Sequence, residues 1–192
     1  DVPHAVFRAQ LQLARSRDRR QSSPLTGLPG PAALEDEILR RLEGTEPFAI
    51  LHADIDRFKA FNDSCGLARG DDAIRMTAQC AQEAARHHGD EHVFVAHVGG
   101  DDFGLVTVVT SAECTALELS LRFDAAAPRL ASPVEMTPLS LSIGIALAVP
   151  GAEESVADIC AQAAQAKSWL KANPSRFSRY AFAEDAGLLS GS

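Results

Sequence analysis

A short apolar run that ends in two aspartates places the strongest constraint on this fold. Residues 48–53 read Phe-Ala-Ile-Leu-His-Ala and are followed at once by Asp54, Ile55 and Asp56. A run of this length that is apolar at nearly every position is typical of a strand buried on both faces of a sheet. Such a strand needs helices on both sides, so we expect a central strand whose end carries carboxylates.

The rest of the chain alternates between helical and strand patterns around one hairpin signal. We predict helices at residues 4–21, 31–43, 71–88, 112–127 and 156–172, and strands at 48–53, 93–98, 103–109, 139–149 and 178–182. Two of the strands are separated by a Gly-Gly-Asp-Asp turn at 99–102, as in a β-hairpin. This order predicts a single sheet covered by helices.

Composition argues against several classes of protein. The chain has 192 residues, of which 46% are hydrophobic, and a net charge of −8, which is typical of about one globular domain. The negative charge argues against nonspecific binding to nucleic acid. No apolar run approaches the ~18–20 residues of a membrane span, and the four cysteines form no C-x-x-C pair that would suggest zinc or a redox site. The start has no secretion signal, so we expect a cytoplasmic protein, and its first residue, Asp1, suggests a piece of a longer one.

Two carboxylate clusters carry the chemistry. One is Asp54 and Asp56 at the end of the buried strand, and the other is Asp101 and Asp102 at the hairpin turn. If these strands are neighbours, the carboxylates converge at one edge of the sheet, where magnesium could bind them together with substrate phosphates. Each cluster alone is equally compatible with a turn or a helix cap, but a metal–phosphate site explains both together.

Basic side chains near these clusters are less informative. Lys59 and Lys167 could each meet a phosphate, although a single lysine is more often a solvated charge. Five histidines show no metal-ligand spacing, and we expect them at the surface or around the site: His52, His87, His88, His92 and His97.

Several motifs, in a fixed order, resemble the GGDEF domain of diguanylate cyclases. They are Ser23-Pro24-Leu25-Thr26-Gly27-Leu28-Pro29, Asp54-Ile55-Asp56-Arg57-Phe58-Lys59-Ala60-Phe61-Asn62-Asp63, Gly66, Gly70-Asp71, Gly99-Gly100-Asp101-Asp102-Phe103, Ser142-Ile143-Gly144-Ile145-Ala146 and Ala166-Lys167. The resemblance implies the α+β class (an α/β sandwich) and a palm-like nucleotidyl-cyclase fold, with a central, mostly antiparallel five-stranded sheet flanked by helices. We accordingly expect a helical connector at 1–22, the domain at 23–183 and a tail at 184–192.

The resemblance also implies a reaction, in which two GTP condense into cyclic di-GMP and two pyrophosphates across a homodimer. It implies Mg²⁺ (or Mn²⁺) held by Asp54, the Ile55 carbonyl and Asp101. Asp101 and Asp102 would be the catalytic pair, with Asp102 helping to activate the 3′-hydroxyl. An upstream sensor or receiver domain, joined through the N-terminal helix, is implied as the partner that controls how two domains meet.

Substrate contacts follow from the same resemblance. Asn62 and Asp71 would bind the guanine edge. The triphosphate would lie against the backbone around Arg57 and Phe58 and against the side chains of Lys59, Lys167 and Lys171.

Several positions depart from the family pattern. Asp102 replaces a glutamate, His97 and Lys171 replace arginines, Ser23 replaces an aspartate, Gly30-Pro31 replaces Asn-Arg, and residues 90–93 replace an inhibitory Arg-x-x-Asp product site. We therefore expect no product inhibition through residues 90–93. If the shorter Asp102 limits the rate, Asp102→Glu raises activity.

The departures leave a choice between an active cyclase and a degenerate domain that binds GTP or cyclic di-GMP as a sensor or scaffold. A third possibility, a CRISPR-type cyclic-oligoadenylate palm, shares the Gly-Gly-Asp-Asp turn. It does not account for the Leu-Thr-Gly-Leu motif at 25–28 or for Asn62 and Asp71.

Overall fold

The computed structural model describes residues 22–87, 93–130, 138–173 and 179–185. The helix predicted at 4–21, residues 90–92 of the replaced product site and the tail beyond 185 lie outside these ranges. The helices are α1 Pro31–Leu42, α2 Phe58–Cys65, α3 Leu67–His87, α4 Val109–Ala126 and α5 Val156–Ala172. The strands are β1 Phe48–Ile55, β2 Phe94–Gly99, β3 Asp102–Val108, β4 Leu141–Ala148 and β5 Tyr180–Phe182.

The five strands form one sheet in the order β2-β3-β1-β4-β5. Strand β1 lies at its centre and pairs antiparallel with both β3 and β4, and β2 pairs antiparallel with β3. Only the short β5 runs parallel to its neighbour β4 within this sheet. The α+β class and the mostly antiparallel five-stranded sheet are therefore confirmed.

Helix α2 was not predicted from the sequence. It is eight residues long and ends at Gly66, whose φ of +84° suits glycine and separates α2 from α3. A helix this short shows little periodicity, and Phe61 is its buried anchor. The helix predicted at 71–88 begins earlier, at Leu67.

The sheet has a hydrophobic core on each face. Alternate residues of β1 point to opposite faces, so Leu51 and Ile55 pack with residues of α3 and α4, whereas Phe48 and Ile50 pack with residues of α1 and α5. This confirms that β1 is buried on both faces. By the same alternation, the residues that continue the Phe48 and Ile50 row are His52 and then Asp54.

Two glycines let α1 and α5 approach this second face closely. Gly104 on β3 and Gly144 on β4 both lie directly opposite His52. A Cβ atom at Gly144 would come within 1.9 Å of the carbonyl oxygen of Ala163, and one at Gly104 within 2.5 Å of a methyl carbon of Leu34. The backbone of α5 therefore rests directly on the sheet.

No helix within the described ranges combines the length and the apolar character that crossing a lipid bilayer requires.

Candidate active site

The two carboxylate clusters meet at the end of the central strand. Asp54 on β1 lies directly opposite Asp102 on β3 and Ser142 on β4. Burial, together with the nearby charge of Asp54, raises the pKa of Asp101, which precedes Asp102 in the turn. The expected convergence of these acidic residues at one sheet edge therefore holds.

Helix α5 places two lysines against these carboxylates. The Nζ atom of Lys167 lies 3.1 Å from Oδ2 of Asp54 and 2.8 Å from Oδ1 of Asp102. One turn later, Lys171 hydrogen-bonds to Asp54 and lies 3.6 Å from Oδ1 of Asp56. Burial acts to lower the pKa of Lys171, but the Asp54 hydrogen bond and the surrounding carboxylate charges outweigh it and raise that pKa. The Lys171 ammonium thus stays charged, and phosphates could replace the carboxylates as partners of both lysines.

His52 belongs to this cluster. Its Nε2 lies 2.8 Å from Oδ1 of Asp102 and 3.2 Å from Nζ of Lys167. The hydrogen bond from His52, helped by Lys167, outweighs burial and holds the pKa of Asp102 well below its usual range. Sequence reasoning placed His52 only loosely, at the surface or around the site. The sequence did carry a signal for a closer role: positions 50, 52 and 54 of a strand point to the same face, so His52 shares a face with Ile50 and Asp54.

Asp56 is held by β4. The hydroxyls of Ser140 and Ser142 donate to its two carboxylate oxygens, each at 2.7 Å, and its backbone N–H donates to the Ser140 carbonyl at 2.8 Å. Both carboxylate oxygens therefore accept protein hydrogen bonds. Asp56 ties the end of β1 to the start of β4, a role that sequence reasoning missed.

The segment expected to bind phosphates begins with an unusual backbone conformation. Arg57 has a φ of +61°, in the left-handed region, and its guanidinium donates to the carbonyl of Pro138 at 2.6 Å. This turn starts α2 at Phe58, and the first N–H groups of a helix have no intrahelical acceptor and favour anions. Lys59 lies exposed on the same first turn.

The residues expected to bind the base lie on α2 and α3. The side-chain oxygen of Asn62 is buried and has no hydrogen-bond partner among the residues that the structure describes. Gly70 makes room for it, since a Cβ atom there would lie 1.8 Å from that oxygen. Asp71 follows Gly70 directly, is half exposed and lies 3.9 Å from Arg75. The Asn62 oxygen is thus a buried acceptor, packed against Gly70, for which the described residues supply no donor.

His97 is buried, so of its two expected places, at the surface or around the site, it takes the second. Its side chain stacks on Phe103 with ring centres 4.9 Å apart, its Nδ1 lies 2.7 Å from the Ser23 hydroxyl, and its Nε2 lies 2.9 Å from the Gly100 carbonyl. A carbonyl only accepts, so the neutral ring carries its proton on Nε2 and accepts from Ser23 at Nδ1. Two positions that depart from the family pattern, Ser23 and His97, therefore contact each other and brace the Gly-Gly turn.

Residues 21–176 match the family model described as "Diguanylate cyclase, GGDEF domain". The chain belongs to the GGDEF family. This GGDEF domain is 35% identical over 129 residues to the diguanylate cyclase TpbB of Pseudomonas aeruginosa, an alignment that covers 64% of the chain and 29% of TpbB. It is 33% identical over 156 residues to the uncharacterized protein Rv1354c of Mycobacterium tuberculosis, covering 80% of the chain and 24% of that protein. The chain thus spans less than a third of the length of these two relatives.

A solved structure shows the same fold. The GGDEF domain superposes with a TM-score of 0.76 and 25% identity on the coiled coil and GGDEF domain of DgcB from Caulobacter crescentus, in complex with c-di-GMP, and the match covers 95% of both chains. The palm-like fold expected from the resemblance is therefore confirmed.

The donor set of this GGDEF domain fits a magnesium ion that binds together with phosphates. Within the described ranges, no group of three or more His, Cys, Asp or Glu side chains is arranged to hold a metal on its own. Asp54 and Asp101 nevertheless provide two carboxylates close enough to repel each other, and the backbone carbonyl of Ile55 adjoins Asp54. Magnesium takes one or two carboxylates and completes its shell with waters and substrate phosphates.

Proposed function

We propose that this domain is a diguanylate cyclase, which condenses two GTP into cyclic di-GMP and two pyrophosphates. The observation that carries the proposal is the convergence of Asp54, Asp101 and Asp102 with Lys167 and Lys171 at one sheet edge. Membership of the GGDEF family and the similarity to TpbB, itself named a diguanylate cyclase, support it.

The triphosphate would bind between α2 and α5. Lys167 and Lys171 offer two ammonium groups one helical turn apart, and the N-terminal N–H groups of α2, from Phe58 onward, offer hydrogen bonds to phosphate oxygens. Lys59 adds a third positive charge at the same end of α2. Positioning and electrostatic stabilisation of this kind account for most of the catalysis of phosphoryl transfer.

Asp54, the Ile55 carbonyl and Asp101 would hold Mg²⁺ (or Mn²⁺). When bound, the ion supplies positive charge to the reacting phosphate and to the departing pyrophosphate. Asp101 and Asp102 form the catalytic pair. The Asp102 carboxylate, kept ionised by His52 and Lys167, would accept a hydrogen bond from the 3′-hydroxyl and orient it for attack.

Each condensation step forms a bond between a 3′-oxygen and an α-phosphorus and breaks the bond from that phosphorus to the pyrophosphate. The hydroxyl proton leaves to the surrounding acceptors. One domain carries one set of these carboxylates, so two domains, each holding one GTP, must face each other. The functional unit is therefore a homodimer.

Guanine would be selected by Asn62 and Asp71. The Watson–Crick edge of guanine presents two N–H donors, whereas adenine presents an acceptor at the corresponding ring nitrogen. The amide oxygen of Asn62 has no donor among the described residues, and the carboxylate of Asp71 can only accept. Both groups therefore favour guanine. In the longer protein, we propose a cytoplasmic signalling domain controlled by an upstream sensor or receiver domain.

A degenerate domain that binds GTP or cyclic di-GMP without turnover is the second candidate. The substitutions at Asp102, His97 and Lys171 favour it, because they alter the catalytic pair, the Gly-Gly turn and a phosphate contact together.

The test is to incubate the purified chain with GTP and magnesium, at concentrations that permit dimers, and to measure cyclic di-GMP by chromatography. Product is expected from the wild type and not from Asp54→Asn. The charge-matched control Asp72→Asn alters an exposed carboxylate on α3 and should keep full activity. If the wild type forms no product but still binds a GTP analogue in calorimetry, the binding module is favoured. If it neither forms product nor binds the analogue, the cyclase proposal is refuted.

A further inference from the structure

His52 lies where the pattern of β1 calls for an apolar residue. Phe48 and Ile50, on the same face, are 1% and 2% exposed. The residues directly opposite His52 are Gly104 and Gly144, so no side chain on the adjacent strands competes for its space. The imidazole is only 23% exposed. Burying a polar ring costs free energy unless its nitrogen finds a partner.

The partner is Asp102. A carboxylate only accepts hydrogen bonds, so the 2.8 Å contact with Oδ1 places the proton of His52 on Nε2, and Lys167 donates to the same oxygen at 2.8 Å. In this tautomer the 3.2 Å between Nζ of Lys167 and Nε2 of His52 separates two donors and is not a hydrogen bond. Two donors from different elements, one on β1 and one on α5, therefore converge on one oxygen. Together they fix both torsions of a side chain that is otherwise 37% exposed.

Asp102 also needs this support more than a longer side chain would. It stands where the family pattern has glutamate and is shorter by one methylene, about 1.5 Å of reach. A displacement of about 1 Å at a reacting centre can cost on the order of 100-fold in rate. A short carboxylate must therefore be held in one orientation.

We propose that His52 is a positioning residue of this domain, which holds the shortened Asp102 carboxylate in its productive orientation, so that His52 and Asp102 form a matched pair. The inference rests on the proposed cyclase function. His52 acts through Asp102 and need not contact the nucleotide.

A double-mutant cycle on the full chain tests the pairing. His52→Leu is expected to lower kcat for cyclic di-GMP formation by about 10- to 100-fold. The KM for GTP should change less than about threefold, because His52→Leu leaves in place every side chain assigned to the base and the phosphates. His52→Gln keeps an N–H donor and should recover most of kcat. In an Asp102→Glu chain, the same His52→Leu change should cost less than about threefold. His87→Leu, at an exposed histidine on α3, is the matched control and should leave kcat unchanged.

Equal losses of kcat from His52→Leu in the Asp102 and Asp102→Glu chains would overturn the pairing. So would a His52→Gln variant as slow as His52→Leu with an unchanged melting temperature.

A spectroscopic measurement separates this inference from the proposed function. In long-range ¹⁵N–¹H spectra of the wild type, His52 should be the Nε2–H tautomer, and its resonances should shift in Asp102→Ala but not in Asp72→Asn. An Nδ1–H tautomer of His52, or His52 ring resonances that do not shift in Asp102→Ala, would overturn the pairing even in an active enzyme. A wild type that makes no cyclic di-GMP but shows the expected spectra would refute the cyclase function and support the contact.

Discussion

Adding one methyl group at Gly144 tests whether the sheet sets the position of the two α5 lysines. A Cβ atom there would lie 1.9 Å from the Ala163 carbonyl oxygen and 2.4 Å from the Lys167 nitrogen, both backbone atoms of α5, whereas ordinary contacts begin at 3.4 Å. The helix must therefore move by about 1.5 Å. Overpacking costs about 1–3 kcal/mol, and we expect about 3 kcal/mol because backbone atoms cannot rotate away. For a domain of this size, the melting temperature should fall by about 6–12 °C.

The same displacement should reduce catalysis. Lys167 lies 2.8 Å from Asp102 and 3.1 Å from Asp54, so a shift of about 1.5 Å removes it from hydrogen-bonding range of at least one carboxylate. A misplacement of about 1 Å can cost on the order of 100-fold in kcat. Circular dichroism measures the melting temperature, and chromatography measures the cyclic di-GMP formed from GTP.

Gly104→Ala is the matched control on the other side of His52. Its Cβ atom would come too close only to the end of the flexible Leu34 side chain, at 2.5 Å, and would lie at an ordinary 3.4 Å from a methyl carbon of Val98. That side chain can rotate, so we expect a cost below about 1 kcal/mol and a fall in melting temperature of at most about 4 °C. Equal losses in the two variants, or an unchanged melting temperature in Gly144→Ala, would refute the claim that α5 rests on the sheet at this point.

Three further predictions concern single contacts. His52 holds the pKa of Asp102 below its usual value of about 3.9. The ionised carboxylate therefore stabilises the fold fully above about pH 4, and this stabilisation is lost as the pH falls through the folded-state pKa. The difference in melting temperature between wild type and Asp102→Asn should therefore narrow from about pH 6 to about pH 2, and a constant difference would contradict this. Ser23→Ala should lower the free energy of unfolding by about 1 kcal/mol in urea titrations, but by almost nothing in a His97→Phe chain; equal costs would show that the two side chains do not interact. Arg57 has a φ of +61°, so the free energy of unfolding should be about 1 kcal/mol higher for Arg57→Gly than for Arg57→Ala. The opposite order in the same titrations would show that the left-handed turn relaxes.

The acidic edge of the sheet could be predicted because its signals are local. An apolar run followed by Asp54 and Asp56 predicts a strand end, and two glycines before Asp101 and Asp102 predict a turn. Antiparallel pairing of neighbouring strands then brings the four carboxylates together. The family motifs added the palm-like fold and its mostly antiparallel five-stranded sheet, which the structure and the comparison with DgcB confirmed.

The contacts between these groups could not be predicted, because they depend on register and on helix placement. Lys167 reaches Asp54 across 113 positions of the chain, and it does so because Gly144 lets α5 approach the sheet. His52 meets Asp102 because β1 and β3 pair in one register. A single sequence shows that His52 and Asp54 share a face of β1, but it does not show which residues of the neighbouring strand pair with them. The contact between Ser23 and His97 is equally nonlocal, joining positions 74 apart.

The ion pairs between α5 and Asp54 have a consequence for how substrate enters. Lys167 and Lys171 already pair with Asp54, so in the proposed cyclase a triphosphate must displace this carboxylate from both ammonium groups. Asp54 is then left with an uncompensated negative charge in a largely buried place, 14% exposed, and this strengthens its attraction for a divalent cation. Nucleotide and cation should consequently bind cooperatively, because phosphates that take the lysines free Asp54 for the cation, and a cation on Asp54 frees the lysines for phosphates.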